Sequence, residues 1–284
     1  MSSLNYICYK MRHTFRFLSL ATLTVCAACA EAPKEGIGEE SSQDVFTIPY
    51  RTAEPDSGRI ITAEVWKGVP VEKVFSAPWT GDRRDATEFQ CYLSPHYFYF
   101  KFLVPDETIT LQEPFLKKLD VCNEDRAEIF LSATPGMETY YSMEIDPAGR
   151  TLDYVTHYYR QFDYDWAFET LQTETSIEAA RYTVAGRLST AEMQQIGIPT
   201  TEFYMGVFRA DFDGPEHVVW YSLLRVEREK ADFHLPEMLF PVTSGTEICS
   251  FPRLTLYMMM LNISTFVPAG TDWAMTLPAS AVSE

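Results

Sequence analysis

The sequence predicts an all-β fold, an antiparallel β-sandwich of the jelly-roll type with one or two short helices. About ten short segments are rich in β-branched and aromatic residues, and the chain contains 16 Tyr and 19 Phe, which favour strands. Pro and Gly residues separate these segments at short intervals. No repeat of fixed period and no change of composition indicates a second folded domain.

Three predicted strands follow one another between residues 123 and 166, at 123–131, 140–145 and 151–159. Turns rich in Pro and Gly separate them. The segment that ends this stretch, 158–166, mixes aromatic and charged residues, which is unusual for a core strand because buried charges need partners. We therefore expect a binding face here.

The other elements have weaker but readable signals. Segment 97–104 is aromatic on both faces, so we expect a central strand that is covered on both sides. Thr190 is expected to cap a short helix at 191–196, and a second short helix is suggested at 113–119. The remaining predicted strands are 60–65, 87–93, 175–180, 182–188, 203–212 and 218–226.

Residues 1–28 have the architecture of a lipoprotein signal peptide. A basic segment precedes the apolar run 17–25, and small residues lead into Cys29. This arrangement resembles bacterial lipoproteins, in which the cysteine is acylated and becomes the mature N-terminus. It predicts lipidation at Cys29 and an exported protein anchored in the bacterial cell envelope, with the outer membrane as the first choice. A plain secretory signal is the alternative.

Three further regions follow the signal peptide. Residues 29–44 are polar and predict a flexible tether. Residues 45–243 form the predicted sandwich, and residues 244–284 are an extension whose structure the sequence does not decide. Its apolar run 254–261 is too short to span a bilayer.

Charge and cysteine content exclude some classes of function. The formal net charge is −17, and such an acidic surface repels a phosphate backbone, which argues against nucleic acid as a partner. Cys91, Cys122 and Cys249 follow the leader without the C-x-x-C spacing of zinc sites. A Cys91–Cys122 disulfide and free thiols both stay open.

Several sequence blocks resemble family 9 carbohydrate-binding modules, and in particular their bacterial lipoprotein branch. They occur in the family's order across residues 60–241, at 125–131, 140–149, 207–212, 219–222 and 232–237. The resemblance implies a β-sandwich that holds a sugar between aromatic side chains, with structural calcium in some members. Trp220 corresponds to the family's late Trp, whereas the early clamp Trp, expected between residues 106 and 125, is missing.

A sugar site needs aromatic platforms for the C–H faces of the ring and polar groups for its hydroxyls. Trp220 is the first predicted platform, and Trp66 and Trp79 are expected to be core residues. The second predicted wall consists of Trp166, Tyr159, Tyr164 and Arg160. Directional hydrogen bonds are expected from Arg209, Glu128 and Arg126.

Metal and cofactor signals are weak. Asp211 and Asp213 form half of a calcium loop but lack its later bidentate Glu. We expect no required cofactor, with structural calcium as the one option.

These observations predict an exported binding protein that captures poly- or oligosaccharide for degradation by neighbouring enzymes, without cleaving it. A glycoside hydrolase or accessory enzyme of glycan breakdown is the alternative, because carboxylates are plentiful, although no catalytic motif occurs. A haem-binding electron-transfer module is a further alternative, with Met205 and His234 as axial ligands, although no C-x-x-C-H occurs.

Overall fold

The computed structural model describes residues 45–81, 83–214, 217–226 and 228–247. The predicted signal peptide, Cys29, the tether 29–44 and the apolar run 254–261 lie outside the described residues. The first seven strands are β1 Phe46–Tyr50, β2 Phe75–Ala77, β3 Arg83–Asp85, β4 Glu88–Leu93, β5 Tyr97–Pro105, β6 Arg126–Ser132 and β7 Thr139–Ile145. The next seven are β8 Thr151–His157, β9 Gln161–Asp163, β10 Gln172–Glu178, β11 Arg181–Ser189, β12 Glu202–Phe212, β13 Val218–Ser222 and β14 Phe240–Glu247.

Helices are short throughout the described part. The α-helices are α1 Ala63–Trp66 and α2 Thr190–Gln195, and the 3₁₀ helices are Pro78–Thr80, Lys118–Asn123 and Pro236–Met238. Helix α2 confirms the helix predicted at 191–196. The predicted cap, Thr190, is wrong, because the N-cap is Ser189, whose side chain accepts a hydrogen bond from the Ala191 amide. None of the described helices is long and apolar enough to cross a membrane.

The strands form one curled sheet that confirms the predicted all-β, sandwich-like class. Its hydrogen-bonded order is β10-β11-β5-β4-β1-β14-β12-β6-β7-β8-β9, and β13, β2 and β3 extend from β12. The prediction of a purely antiparallel sheet is wrong at β1, which pairs in parallel with both β14 and β4. Strand β1 therefore joins the two halves of the sandwich.

The main core lies between the two halves of the curled sheet. Strand β5 contributes Phe98, Phe100 and Phe102, all fully buried, and pairs with β4 on one side and β11 on the other. This confirms the prediction that 97–104 is a central strand. From the other half of the sheet, Ile129 and Leu131 of β6 pack into the same core. Because successive side chains of a strand point to opposite faces, each half of the sheet directs one face toward the main core.

Two predicted elements and one predicted boundary are wrong. Segment 60–65, predicted as a strand, contains the start of α1, and the Trp66 indole Nε1 donates a 2.7 Å hydrogen bond to the Ile60 carbonyl. Its apolar residues cover Tyr92 and Tyr99 from outside the sheet instead of pairing with a strand. The predicted helix 113–119 is replaced by the 3₁₀ helix that begins at Lys118. Strand β14 runs to Glu247, so the first residues of the predicted extension belong to the sheet.

Candidate functional site

The candidate site lies on the outer face of the sheet half formed by β6, β7, β8, β12 and β13, the face turned away from the main core. On β6, Ala127, Ile129 and Leu131 point into the core, and the residues between them point outward. The same alternation on the neighbouring strands brings outward-facing side chains together across the sheet. The outward-facing set includes Arg126, Glu128, Phe130, Tyr140, Glu144, Tyr154 and Trp220.

Four of these outward-facing residues form what we call the Arg126 cluster: Arg126, Glu128, Glu144 and Tyr154. Glu128 and Glu144 are direct cross-strand partners on β6 and β7. The Arg126 Nε donates to Glu144 Oε2 at 2.8 Å, and the Tyr154 hydroxyl donates to Glu144 Oε1 at 2.8 Å. Arg126, Glu128 and Glu144 are only 5, 2 and 4% exposed, so this is a charged group held inside the protein.

Glu128 is the incompletely satisfied member of the Arg126 cluster. Its Oε1 lies 2.9 Å from Arg126 Nε, but the single hydrogen on that nitrogen is directed at Glu144. Glu128 Oε1 therefore accepts no hydrogen bond from any residue that the structure describes. Burial and the nearby Glu144 raise the pKa of Glu128 to about 8, against the opposing effect of Arg126. Buried oxygens without a hydrogen-bond partner are uncommon in folded proteins.

Aromatic side chains flank the Arg126 cluster on both sides. On one side Trp220 lies under the Arg126 guanidinium, 5.3 Å from its ring centre, and meets Phe233 edge-on at 5.5 Å. On the other side Tyr164 stacks on Phe162 at 5.2 Å and meets Tyr154 edge-on. Trp220, Phe162 and Tyr164 are half-buried, so each ring retains some exposed surface. The outer face therefore combines polar groups with partly open aromatic rings.

Segment 232–234 fixes the position of Phe233 on this face. The His234 amide donates to Asp232 Oδ1 at 3.1 Å, and His234 Nδ1 lies 2.7 Å from the Tyr140 hydroxyl. Burial and the positive charge of Arg160 lower the pKa of His234 to about 3, so the ring is neutral at physiological pH. Phe233 then stacks on Phe208 with ring centres 4.1 Å apart.

The turn between β8 and β9 borders the same face. Tyr159 donates its hydroxyl hydrogen to Asp232, and the Arg160 guanidinium bonds both the Tyr159 oxygen and Asp232. Of the eight predicted binding residues, six thus share the outer face or its border. These six are Trp220, Arg126, Glu128, Tyr159, Arg160 and Tyr164.

The structure places Trp166 and Arg209 on the opposite, core side. The Trp166 ring packs on Tyr141 and Phe168, which belong to or border the main core. Arg209 is 2% exposed and pairs with Asp85 and Asp106. Neither side chain meets Trp220, so the predicted wall of Trp166 facing Trp220 is not formed.

The sequence analysis did not predict Glu144 or Trp79 as members of the outer face. For Glu144, the two-residue alternation of a strand could have provided the signal. Glu144 faces the same way as Tyr140 on β7 because they are four residues apart on a strand. Trp79, expected in the core, is half-buried beside the site, and its indole Nε1 donates to the Trp220 carbonyl at 2.9 Å. Trp66, by contrast, is buried as predicted. The position of Trp79 depends on long-range packing that no local pattern encodes.

A group of aspartates near Arg209 has the carboxylate ligands that a calcium site needs. Carboxylate oxygens of Asp106, Asp125 and Asp211 lie within 4.8 Å of one another, whereas Asp213 is exposed and is not part of this group. Asp125 accepts hydrogen bonds from the Phe212 and Thr110 amides. Burial, with Asp106 and Asp211 nearby, raises the pKa of Asp125 to about 7. Clustered carboxylate oxygens are the donors that calcium prefers, so these residues fit the ion chemically.

The positions of the two predicted haem ligands do not support the haem alternative. Met205 is fully buried in the main core and His234 lies on the outer face, so the sheet separates the two predicted haem ligands.

Two open depressions lie away from the outer face. The larger, about 430 Å³, is lined by Lys101, Glu178 and Arg181 but by no aromatic residue. The smaller, about 170 Å³, has Tyr50 but no charged residue.

The fold has a solved counterpart. A proposed carbohydrate-binding protein from Bacteroides uniformis superposes with a TM-score of 0.60 at 12% identity, over 72% of this chain and all of that one. This chain shares its fold. The likeness to carbohydrate-binding modules predicted from the sequence is thereby confirmed as a likeness of fold.

Two family 9 carbohydrate-binding modules from Caldicellulosiruptor kristjanssonii superpose less well, each at 12% identity. One, in complex with glucose, has a TM-score of 0.47 over 72% of this chain and 98% of that one. The other, in complex with cellotriose, has a TM-score of 0.46 over 80% of this chain and all of that one. The sequence matches no known family profile, and no curated protein matches it.

Proposed function

We propose that this protein binds a neutral saccharide on the outer face of β6, β7, β8, β12 and β13, without cleaving it. The observation that carries the proposal is the Arg126 cluster set between two groups of half-buried aromatic rings. Sugar rings stack their C–H faces on such rings and direct their hydroxyls at fixed carboxylates and guanidinium groups. The fold shared with a proposed carbohydrate-binding protein supports the same assignment.

Each part of the site has one task in this proposal. Trp220 provides the stacking surface, because its ring is half-buried and Arg126 holds it in place. Glu128 meets a sugar hydroxyl through a bridging water, because its Oε1 is buried and accepts no hydrogen bond from the described residues. Glu144 and Tyr154 hold Arg126 in position by the two 2.8 Å hydrogen bonds. The strong negative charge of the chain favours neutral over anionic glycans.

The test is a glycan array probed with the purified protein, followed by titration calorimetry with glucose and cellotriose as the first soluble probes. We expect retention of neutral glycans and recovery of the bound oligosaccharide uncut. A protein that retains no neutral glycan overturns the proposal. One that releases shorter products from cellotriose supports the alternative, a glycoside hydrolase.

We further propose that the protein is exported and held at the cell envelope by a lipid on Cys29, and that it supplies captured glycan to separate degrading enzymes. The support is the order of basic segment, apolar run and small residues that ends at Cys29. A binding domain on a lipid anchor would keep glycan near the cell surface where such enzymes act.

A further inference from the structure

We infer that the larger open depression, on the side of β5, β10 and β11 turned away from the main core, is a binding site for a small organic carboxylate. Its volume is about 430 Å³, near the lower end of the range for small-molecule sites. No aromatic residue lines it, so it lacks the platform that a sugar ring needs. The inference therefore concerns a second site and does not depend on the proposed sugar site.

Strand pairing brings the lining residues of the depression together. Leu103 on β5 is the cross-strand partner of Thr183 on β11, and Thr183 is in turn the partner of Ser176 on β10. These three residues form one row across the floor. Lys101 lies two residues before Leu103 on the same strand, so its side chain is on the same face. Ile61, from the segment before α1, adds an apolar side chain to the lining.

Lys101 brings a positive charge that no described residue neutralises by direct contact. Its Nζ lies 5.0 Å from the centre of the Trp66 ring, and it forms no ion pair with a residue that the structure describes. Glu88, whose charge acts on Lys101, is itself paired with Lys73 at 2.6 Å. Burial lowers the pKa of Lys101, against the opposing effect of Glu88. An anion bound beside Lys101 would therefore stabilise its charged form.

The other lining groups define the chemistry of the ligand. The hydroxyls of Ser176 and Thr183 have no hydrogen-bond partner among the described residues, so both can donate to an anionic oxygen. Arg181 Nη2 lies 2.6 Å from Glu178 Oε2, and these two charges offset each other. With two cations and one carboxylate in its lining, the depression is positive although the whole chain carries −17. A carboxylate matches the cation and the hydroxyls, and the apolar lining suits a short aliphatic body.

The test measures binding of isobutyrate and of its uncharged analogue, isobutyramide, to the purified full-length protein by saturation-transfer NMR titration. Isobutyrate should bind with a dissociation constant of about 1 mM, because so small a ligand makes few contacts. Isobutyramide has the same shape without the charge, so it should bind about tenfold more weakly or not at all.

Four variants separate the charge from the shape of the site. Lys101→Met should weaken isobutyrate binding by about tenfold or more, because it keeps the aliphatic stem and removes the charge. Lys101→Arg keeps the charge and should retain most of the affinity. Thr183→Val removes one hydroxyl at nearly the same volume and should weaken binding by about two- to fivefold. Lys230→Met is the matched control, because Lys230 is exposed and does not line the depression, and it should bind as the wild type does.

Three results would overturn the inference. They are no binding of isobutyrate by the wild type, equal binding of isobutyramide, and unchanged isobutyrate affinity in Lys101→Met. Urea unfolding shows whether the Lys101→Met protein is folded. If it is not, Thr183→Val decides, and a Thr183→Val protein that binds isobutyrate like the wild type overturns the inference. None of these outcomes bears on sugar binding at the outer face.

Discussion

Trp166 and Trp220 are both half-buried, yet their rings lie on opposite faces of the same sheet. Trp166 packs on Tyr141 beside the main core, whereas Trp220 packs on Phe233 and under Arg126 on the outer face. The pair therefore forms a matched comparison of one Trp that packs beside the core and one that we propose stacks on the ligand.

Trp220→Ala should weaken binding of cellotriose by about tenfold or more, because it removes the main stacking surface. Trp166→Ala should leave this affinity unchanged. Each substitution should lower the free energy of unfolding by about 1–3 kcal/mol, since each removes a half-buried ring. Titration calorimetry and urea unfolding measure the two effects. Equal loss of affinity in both variants would mean that the affinity for cellotriose depends on the stability of the fold and not on direct contact with Trp220.

Arg126→Ala should destabilise the protein by about 3–5 kcal/mol, because Glu128 and Glu144 would become buried carboxylates without a cation. The matched control replaces Arg126 with Ala and both glutamates with Gln. Because this triple variant leaves no unpaired charge, it should regain part of the lost free energy in urea unfolding. A triple variant as unstable as the single one would mean that Arg126 acts by packing on Trp220 alone.

The sequence predicts strands better than it predicts which side chains meet. Strands such as β5 and β7 could be assigned because aromatic and β-branched runs bounded by turn residues are a local signal. The separation of Trp166 from Trp220 could not, since it depends on how the segment after β9 returns to the core. Arg209 was predicted to bind ligand, but the charge-compensating role it has requires Asp85 and Asp106 from distant strands. Arg126 and Glu128 of the Arg126 cluster were predicted from the sequence. Glu144 was not, because only the pairing of β6 with β7 places it opposite Glu128.

The contribution of Glu124 to stability should fall as the pH rises from about 4.5 to 8. Glu124 and Asp146 are 0% exposed and share Arg150. Burial and the neighbouring Asp146 carboxylate raise the pKa of Glu124 to about 8, above the value of about 4.3 in an unfolded chain. The folded state thus keeps a proton that the unfolded state has lost, and unfolding becomes easier as the pH rises.

Glu124→Gln isolates this contribution, because the amide imitates the protonated carboxyl group beside Asp146. Urea unfolding should give similar free energies for both proteins at pH 5. At pH 8 the variant should have gained stability relative to the wild type. A difference between the two proteins that does not change with pH would contradict a proton held by Glu124.

Cys29→Ala should move the protein from the membrane fraction to the soluble fraction of a bacterium that processes lipoproteins, because the substitution removes the proposed acylation site. Cys26→Ala is the matched control and should leave the protein with the membrane. Immunoblots of the two fractions measure the distribution. A Cys29→Ala protein that stays with the membrane would indicate an anchor other than this lipid.

Calcium should raise the melting temperature, because Asp85, Asp106 and Asp211 share a single guanidinium group, that of Arg209, and the Asp125 carboxylate lies beside Asp106 and Asp211. A bound cation would offset the remaining negative charge. Saturating calcium should then raise the melting temperature of chelator-treated protein by about 5–10 °C. The rise should be larger at pH 8 than at pH 6, since the raised pKa of Asp125, about 7, leaves a proton to compete with the metal at the lower pH.

Asp211 in β12 and Asp213 just after it provide matched variants. They distinguish calcium binding at this site from general effects of the ion. Asp211→Asn should abolish most of the calcium shift, because its carboxylate belongs to the oxygen cluster. Asp213→Asn should keep the shift, because Asp213 is exposed and outside that cluster. If chelator-treated wild type shows no shift, Arg209 rather than a metal ion compensates these aspartates. In that case Arg209→Ala should destabilise the protein whether or not calcium is present, because it leaves buried carboxylates without a cation.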